Sequence, residues 1–189
     1  IRGINYPVFK NAPQNLCEML KRSFSSHDDG KAEYLVYQNE RWSYDAFCAD
    51  IKKVAWHLQK EFSVKKGTPV AIAMRNYPEF IILVMAISAL GAKVVFLNAW
   101  WTTKELKYAL EDSSAKLVFA DGPRTNSIEP LVKDLNLQII AVRDAEAFWP
   151  TRFSDFLKST TVAKWLEANI EPEDDFSIMY SSGTTGHPK

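Results

Sequence analysis

Val70-Ala71-Ile72-Ala73-Met74-Arg75-Asn76-Tyr77-Pro78-Glu79-Phe80 is the stretch from which the fold can be read. Its first five residues form an unbroken apolar run of strand length, the pattern of an interior strand covered on both faces of a parallel sheet. Pro78 then suits the first turn of a helix, where a missing N–H costs nothing. The apolar run from Phe80 to Leu90 continues that helix, and Gly91 sits where a helix end favours glycine. Val94-Val95-Phe96-Leu97 reads as the next strand. Thr102 with Glu105 gives a capping-box pattern for a helix to about Asp112. Leu117-Val118-Phe119-Ala120 is a third strand, Ile128 to Leu135 a short helix, and Gln138-Ile139-Ile140-Ala141-Val142 a fourth strand. Strands alternating with helices imply an α/β fold, an open, mostly parallel sheet with flanking helices and right-handed crossovers. The four runs are expected to be neighbours in one sheet.

Upstream, residues 1–14 lack periodicity and hold Pro7 and Pro13, so they read as an irregular arm. Leu16, Met19 and Leu20 place a helix over Asn15 to Phe24, and Ser25 to Gly30 is a loop. Tyr34 to Tyr37 and Arg41-Trp42 flank Asn39-Glu40 as a short hairpin. Ser43 caps the next helix, whose apolar positions Phe47, Ile51, Val54, Ala55, Leu58 and Phe62 lie on one face. The expected division is therefore 1–42, an arm, helix and hairpin, and 43–189, one α/β subdomain. Further helices are expected near Ser154 to Lys158 and Val162 to Glu167.

The chain closes on Tyr180-Ser181-Ser182-Gly183-Thr184-Thr185-Gly186-His187-Pro188-Lys189, preceded by an apolar strand from Phe176. Glycines let successive N–H groups converge, hydroxyls add short donors, and a lysine adds charge, which together suit phosphate oxygens. The run is not a Walker A loop: Pro188 stands where that motif needs its second glycine, and no G-x-G-x-x-G occurs.

This closing run resembles the signature phosphate loop of the adenylate-forming (AMP-binding) enzymes: acyl- and aryl-CoA synthetases, peptide-synthetase adenylation domains and beetle luciferases. The likeness extends over Val70–Phe80, Ala89–Ala92, Leu97-Asn98, Thr102–Leu106 and Leu110–Lys116, and runs from about Ser43 to Lys189. Leu97-Asn98-Ala99-Trp100-Trp101-Thr102 looks more like the fatty-acyl group than like a peptide-synthetase domain. The resemblance implies an ATP-dependent acid–thiol ligase. A carboxylate attacks the α-phosphorus of ATP, pyrophosphate leaves, and coenzyme A takes the acyl group. Ser181, Ser182, Thr184 and Thr185 would donate to the β- and γ-phosphates. Gly183 and Gly186 would allow close approach, Lys189 would add charge, and Mg²⁺ would bridge the phosphates.

Family members run to roughly 500 residues or more, several domains by the usual size rule. The resemblance thus implies an amino-terminal subdomain cut at the phosphate loop, with the remainder of the same polypeptide as its partner. No complete set of catalytic residues lies within the chain, so the piece alone is expected to be inactive; the strand that would frame the loop from the other side is missing, so residues 181–189 are expected to be mobile or ordered only by a neighbouring chain. A stand-alone nucleotide-binding or scaffold module and a peptide-synthetase adenylation domain are the alternatives.

Composition narrows the rest. Lys plus Arg equals Asp plus Glu at 23 each, which argues against broad nucleic-acid binding. Cys17 and Cys48 are the only cysteines, expected as buried free thiols of a reducing compartment. His27, His57 and His187 show no metal-ligand spacing, and no metal site is expected. The longest apolar run is about half the ~20 residues that span a bilayer, and a cytoplasmic location follows as the expectation, with peripheral membrane association of the parent enzyme as the alternative. Glu171 to Asp175 reads as a solvated acidic loop. Trp100-Trp101 reads as packing a subdomain interface more than walling a ligand pocket. Arg75-Asn76 reads as a helix-entry turn placed where such sheets bind ligands.

Overall fold

A computed structural model of the protein describes residues 3–25, 30–159, 164–165 and 168–181. Its helices are α1 (Leu16–Ser25), α2 (Tyr44–Lys60), α3 (Pro78–Ala89), α4 (Thr103–Ser113), α5 (Gly122–Ile128), α6 (Val132–Leu135) and α7 (Phe153–Lys158). Strands β1 (Glu33–Tyr37) and β2 (Glu40–Ser43) form an antiparallel hairpin. Strands β3 (Pro69–Ala73), β4 (Lys93–Phe96), β5 (Leu117–Ala120), β6 (Gln138–Ala141) and β7 (Ser177–Met179) form one parallel sheet in the order β6-β5-β3-β4-β7. The four expected apolar runs are thus consecutive neighbours.

The sheet's two faces divide the core by strand periodicity. Val70, Ile72, Val94, Leu117, Phe119 and Ile140 point into one cluster, with Phe47, Ile51 and Leu58 of α2 and Ile82, Leu83 and Ile87 of α3. Leu20 and Phe24 of α1 join that cluster. Ala71, Ala73, Val95, Val118, Ala120 and Ile139 point the other way, under Leu106 and Leu110 of α4 and Ile128 of α5. Burial on both faces is why these strands show no polar alternation.

Local signals set the boundaries. Ser43 Oγ accepts from Ala46 N at 3.2 Å and starts α2. Thr102 and Glu105 make the full capping box of α4, Thr102 N donating to Glu105 Oε2 at 2.8 Å. Those bonds to Thr102 hold the Glu105 carboxyl below its ordinary range. Gly91 follows α3 with φ +65°, and a Cβ there would lie 3.2 Å from Ile170 Cγ1.

Three expectations shift. The helix placed at 128–135 begins earlier, at Gly122. Asp121 O accepts from both Arg124 N and Thr125 N, and Pro123 fits the first turn rather than breaking it. A 3₁₀ turn over Glu129–Leu131, containing Pro130, then separates α5 from α6. In the hairpin, Glu40 belongs to β2 and pairs with Tyr37, so the turn is Gln38-Asn39, with Gln38 at φ 50°. The acidic run is partly paired: Asp174 meets Lys66 at 2.8 Å and Asp175 meets Lys93 at 3.7 Å. The helix expected at 162–167 falls largely outside the described residues, as does the expected mobility of the loop beyond Ser181. Cys17 and Cys48 are buried free thiols, and burial pushes both upward from the ordinary thiol range.

Arg143 pins the hairpin to the sheet. It follows β6 with φ 55°, a left-handed conformation costly for a side-chain-bearing residue. Its Nη1 reaches Glu40 Oε1 and its Nε reaches Glu79 Oε2, both at 2.9 Å, while the guanidinium faces the rings of Tyr37 and Tyr77 at 5.0 and 4.8 Å.

Candidate active-site cleft

β3 leads into α3 toward β4, whereas β5 leads into α5 toward β6, so the chain changes direction between the adjacent strands β3 and β5. Open α/β sheets bind ligands beyond the carboxyl ends of their strands at such a point. A cleft of about 520 Å³ opens next to that point, at the carboxyl ends of β3, β4 and β7. Met74, Arg75 and Asn76 line it from β3, Phe96 to Trp100 from β4, and Met179 and Tyr180 from β7, with Phe80 of α3.

Asp121, at the end of β5, organises the polar side of this region. It is fully buried. Its carboxylate oxygens lie 3.3 and 3.4 Å from Arg124 Nη1, and its Oδ2 accepts from Arg75 N at 3.2 Å. Arg75 Nε stands 3.6 Å from the same oxygen. Arg124 Nε donates to Ala99 O at 2.7 Å, and its guanidinium underlies the Trp100 ring at 5.2 Å. Trp100 is 82 % exposed, leaving an indole on the rim of the cleft. Trp101 instead packs edge-on against Tyr180, ring centres 5.8 Å apart. The pair thus divides between a packed residue and an exposed one.

Tyr180 carries the chain out of β7. Its hydroxyl lies 2.8 Å from Asp112 Oδ2 and 3.1 Å from Ala109 O, both on α4. Burial, reinforced by the bond to Asp112, pushes its phenol far above the ordinary tyrosine range. Of the residues assigned to phosphate binding, Ser181 follows directly at the exposed end of β7. Ser182, Gly183, Thr184, Thr185, Gly186 and Lys189 lie outside the described residues.

Sequence reading singled out Arg75 and Trp100 but missed Asp121, Arg124 and Asp112. A signal existed for the first: a lone aspartate ending an apolar strand run, Phe119-Ala120-Asp121, is where such a sheet presents polar groups. Arg124 and Asp112 are surface-like in sequence and gain meaning only from their partners. Among the described residues no group of three or more His, Cys, Asp or Glu is placed to hold a metal ion, and no helix is long and apolar enough to cross a membrane.

Comparison with known proteins agrees with this architecture. Residues 24–189 match the family model described as AMP-binding enzyme. The chain belongs to that family. It is 31% identical over 156 residues to 2-succinylbenzoate–CoA ligase of Bacillus velezensis, covering 82% of this chain and 29% of the relative. Long-chain-fatty-acid–CoA ligase FadD13 of Mycobacterium tuberculosis is 32% identical over 150 residues, covering 75% of this chain and 26% of the relative. The chain therefore spans less than a third of the length of these curated relatives. The crystal structure of the anthranilate CoA ligase AuaEII in complex with anthranoyl-AMP superposes with TM-score 0.80 at 23% identity, over 94% of this chain and 34% of that one, which shows the shared fold.

Proposed function

We propose that this chain is the amino-terminal, ATP-handling portion of an acyl-CoA synthetase that activates a carboxylic acid, of the fatty-acid class, as its adenylate and passes the acyl group to coenzyme A. The observation supporting this reading most directly is the order of parts: a parallel strand, β7, opens at the sheet's carboxyl-end cleft and runs straight into Ser181-Ser182-Gly183-Thr184-Thr185-Gly186-His187-Pro188-Lys189. The likeness to a long-chain-fatty-acid–CoA ligase supports the choice of acid.

Displacement at phosphorus needs charge neutralisation and alignment more than a protein nucleophile. In this reading the hydroxyls of Ser181, Ser182, Thr184 and Thr185 donate to the β- and γ-phosphates as they depart together, and Lys189 offsets their charge. Gly183 and Gly186 let the backbone close on the oxygens. Mg²⁺ would be held chiefly through the triphosphate. The adenine, ribose and lid contacts belong to the remainder of the polypeptide, so the chain alone binds MgATP at millimolar strength or weaker, about 4 kcal/mol at most, and releases no pyrophosphate. In this reading the enzyme works in the cytoplasm.

The test is the effect of removing the Thr184 and Thr185 hydroxyls in the full-length enzyme. Adenylate formation, followed by ATP–pyrophosphate exchange with fatty acids, should slow by ~10²–10³, the usual loss for a transition-state donor. Thioester formation from preformed acyl-adenylate should be spared. Equal loss in both steps would refute a phosphate-holding role.

A further inference from the structure

We infer that Tyr180, through its hydroxyl bond to Asp112, is a positioning residue that fixes where the phosphate loop leaves the sheet and thereby governs ATP binding, not acid binding. The inference rests on the adenylate-forming reading above.

β7 is a poor anchor by itself. It has three residues, pairs with β4 on one side, and stands at the edge of the described sheet. Met179 is 73 % exposed, so burial contributes little at its end. What fixes the chain immediately before the loop is the Tyr180 side chain. Its ring packs with Trp101 against the apolar cluster of the second sheet face, and its hydroxyl crosses to α4, 68 residues away, at 2.8 Å from Asp112. α4 is a firm reference: it is capped at both Thr102 and Glu105 and buries Leu106, Ala109 and Leu110.

A second observation points the same way. Asp112 lies in the last turn of α4, where a negative charge opposes the helix dipole and where no basic residue compensates it. A carboxylate there weakens the helix it belongs to. Its bond to Tyr180 supplies the compensating interaction, and departures from local rules of this kind mark positions held for another purpose. A phosphate loop has to present its donors at fixed places, and small displacements of a positioning group are costly in rate. Anchoring the residue before Ser181 to a rigid helix meets that need.

The experiment compares Tyr180→Phe, Asp112→Ala and Asp112→Asn in the full-length enzyme. Phenylalanine keeps the ring packing and removes only the donor. Tyr180→Phe and Asp112→Ala should each raise KM for ATP by about tenfold, the scale of one hydrogen bond to a charged group, with KM for the acid unchanged. The double variant should be no worse than Tyr180→Phe alone, because losing the hydroxyl already removes its bonds to both Asp112 and Ala109. Asp112→Asn, whose carboxamide oxygen still accepts, should recover most of the loss. A merely structural bond would lower the active fraction and leave both KM values alone. An unchanged KM for ATP, or a parallel rise for ATP and acid, overturns the inference while leaving the enzymatic reading intact. Absence of ATP–pyrophosphate exchange in the wild type overturns the reading and the inference with it. Hydrogen exchange on the full-length enzyme tests the anchor without activity: the Ser181 amide should exchange faster in Tyr180→Phe, and an unchanged rate overturns the anchoring itself.

Discussion

Asp121 and Arg124 face each other across one turn of α5 at 3.3 Å, and both are shut away from solvent, the carboxylate fully and the guanidinium nearly so. The pair lies beneath the cleft, joining the end of β5, the backbone of Arg75 and the carbonyl of Ala99. It makes the carboxyl end of the sheet a single polar unit rather than a set of separate loop ends.

Removing one partner of such a pair strands the other charge. Asp121→Ala should cost about 3–5 kcal/mol, the range for breaking a buried ion pair, read from urea unfolding. Arg75→Ala, whose guanidinium is half exposed, should cost under about 1 kcal/mol. Comparable losses for the two would show that Asp121 acts as much through the Arg75 side chain as through its pair with Arg124.

His57 offers the opposite case. Its ring stacks on Phe156 at 4.8 Å and its Nδ1 meets Glu61 Oε1 at 2.8 Å, which places the proton on Nδ1. Nε2 is buried with no hydrogen-bond partner among the described residues. His57→Phe should stabilise the chain by about 1 kcal/mol by removing that unsatisfied nitrogen. His57→Ala should destabilise it by about 2 kcal/mol through the lost packing against Phe156. Destabilisation by the phenylalanine would mean that the bond to Glu61 outweighs the orphaned nitrogen.

The strands of this fold were legible because burial on both faces forces unbroken apolar runs, as in Ala71-Ile72-Ala73 and Leu117-Val118-Phe119-Ala120. The caps at Ser43 and Thr102 were legible because they act within a few residues. α5 was not: Gly122-Pro123 looks like a breaker until Asp121 O is seen to accept the amides of Arg124 and Thr125 and Asp144 that of Gly122. The residues proposed to bind phosphate rest on the motif, and of them only Ser181 lies within the described residues. What surrounds the cleft, above all Asp121, Arg124 and Asp112, depends on partners that the sequence holds far apart or leaves unmarked.

Gly91 sits at φ +65°, with Ile170 Cγ1 waiting 3.2 Å from any added Cβ. Gly91→Ala should cost about 1–2 kcal/mol from the left-handed backbone alone. Ile170→Ala in the same background should recover none of that part. Full recovery would show that the contact, not the backbone, sets the cost.

Alkaline stability should report on Tyr180. Burial, then the bond to Asp112, raises its folded phenol above the ordinary value of about 10. The folded chain therefore keeps a proton that the unfolded chain gives up. This contribution is complete below about pH 10 and is lost as pH climbs toward the raised folded value. Tyr34 and Tyr77, raised by burial, add to the same slope. Urea midpoints taken between about pH 9 and 11 should fall less steeply in Tyr180→Phe than in the wild type. Equal slopes would mean that the phenol ionises as freely folded as unfolded.

The Arg143 pin also imposes an order of events on synthesis. Glu79 leaves the ribosome 64 residues before Arg143, and Glu40 103 residues before it. At translation rates of ~5–20 residues per second, Glu79 waits roughly 3–13 s for the cation it shares with Glu40. In that interval, docking the hairpin would press two carboxylates together without the guanidinium that joins them. The nascent chain is thereby biased to lay down β3, β4 and β5 first and to fasten the β1–β2 hairpin last.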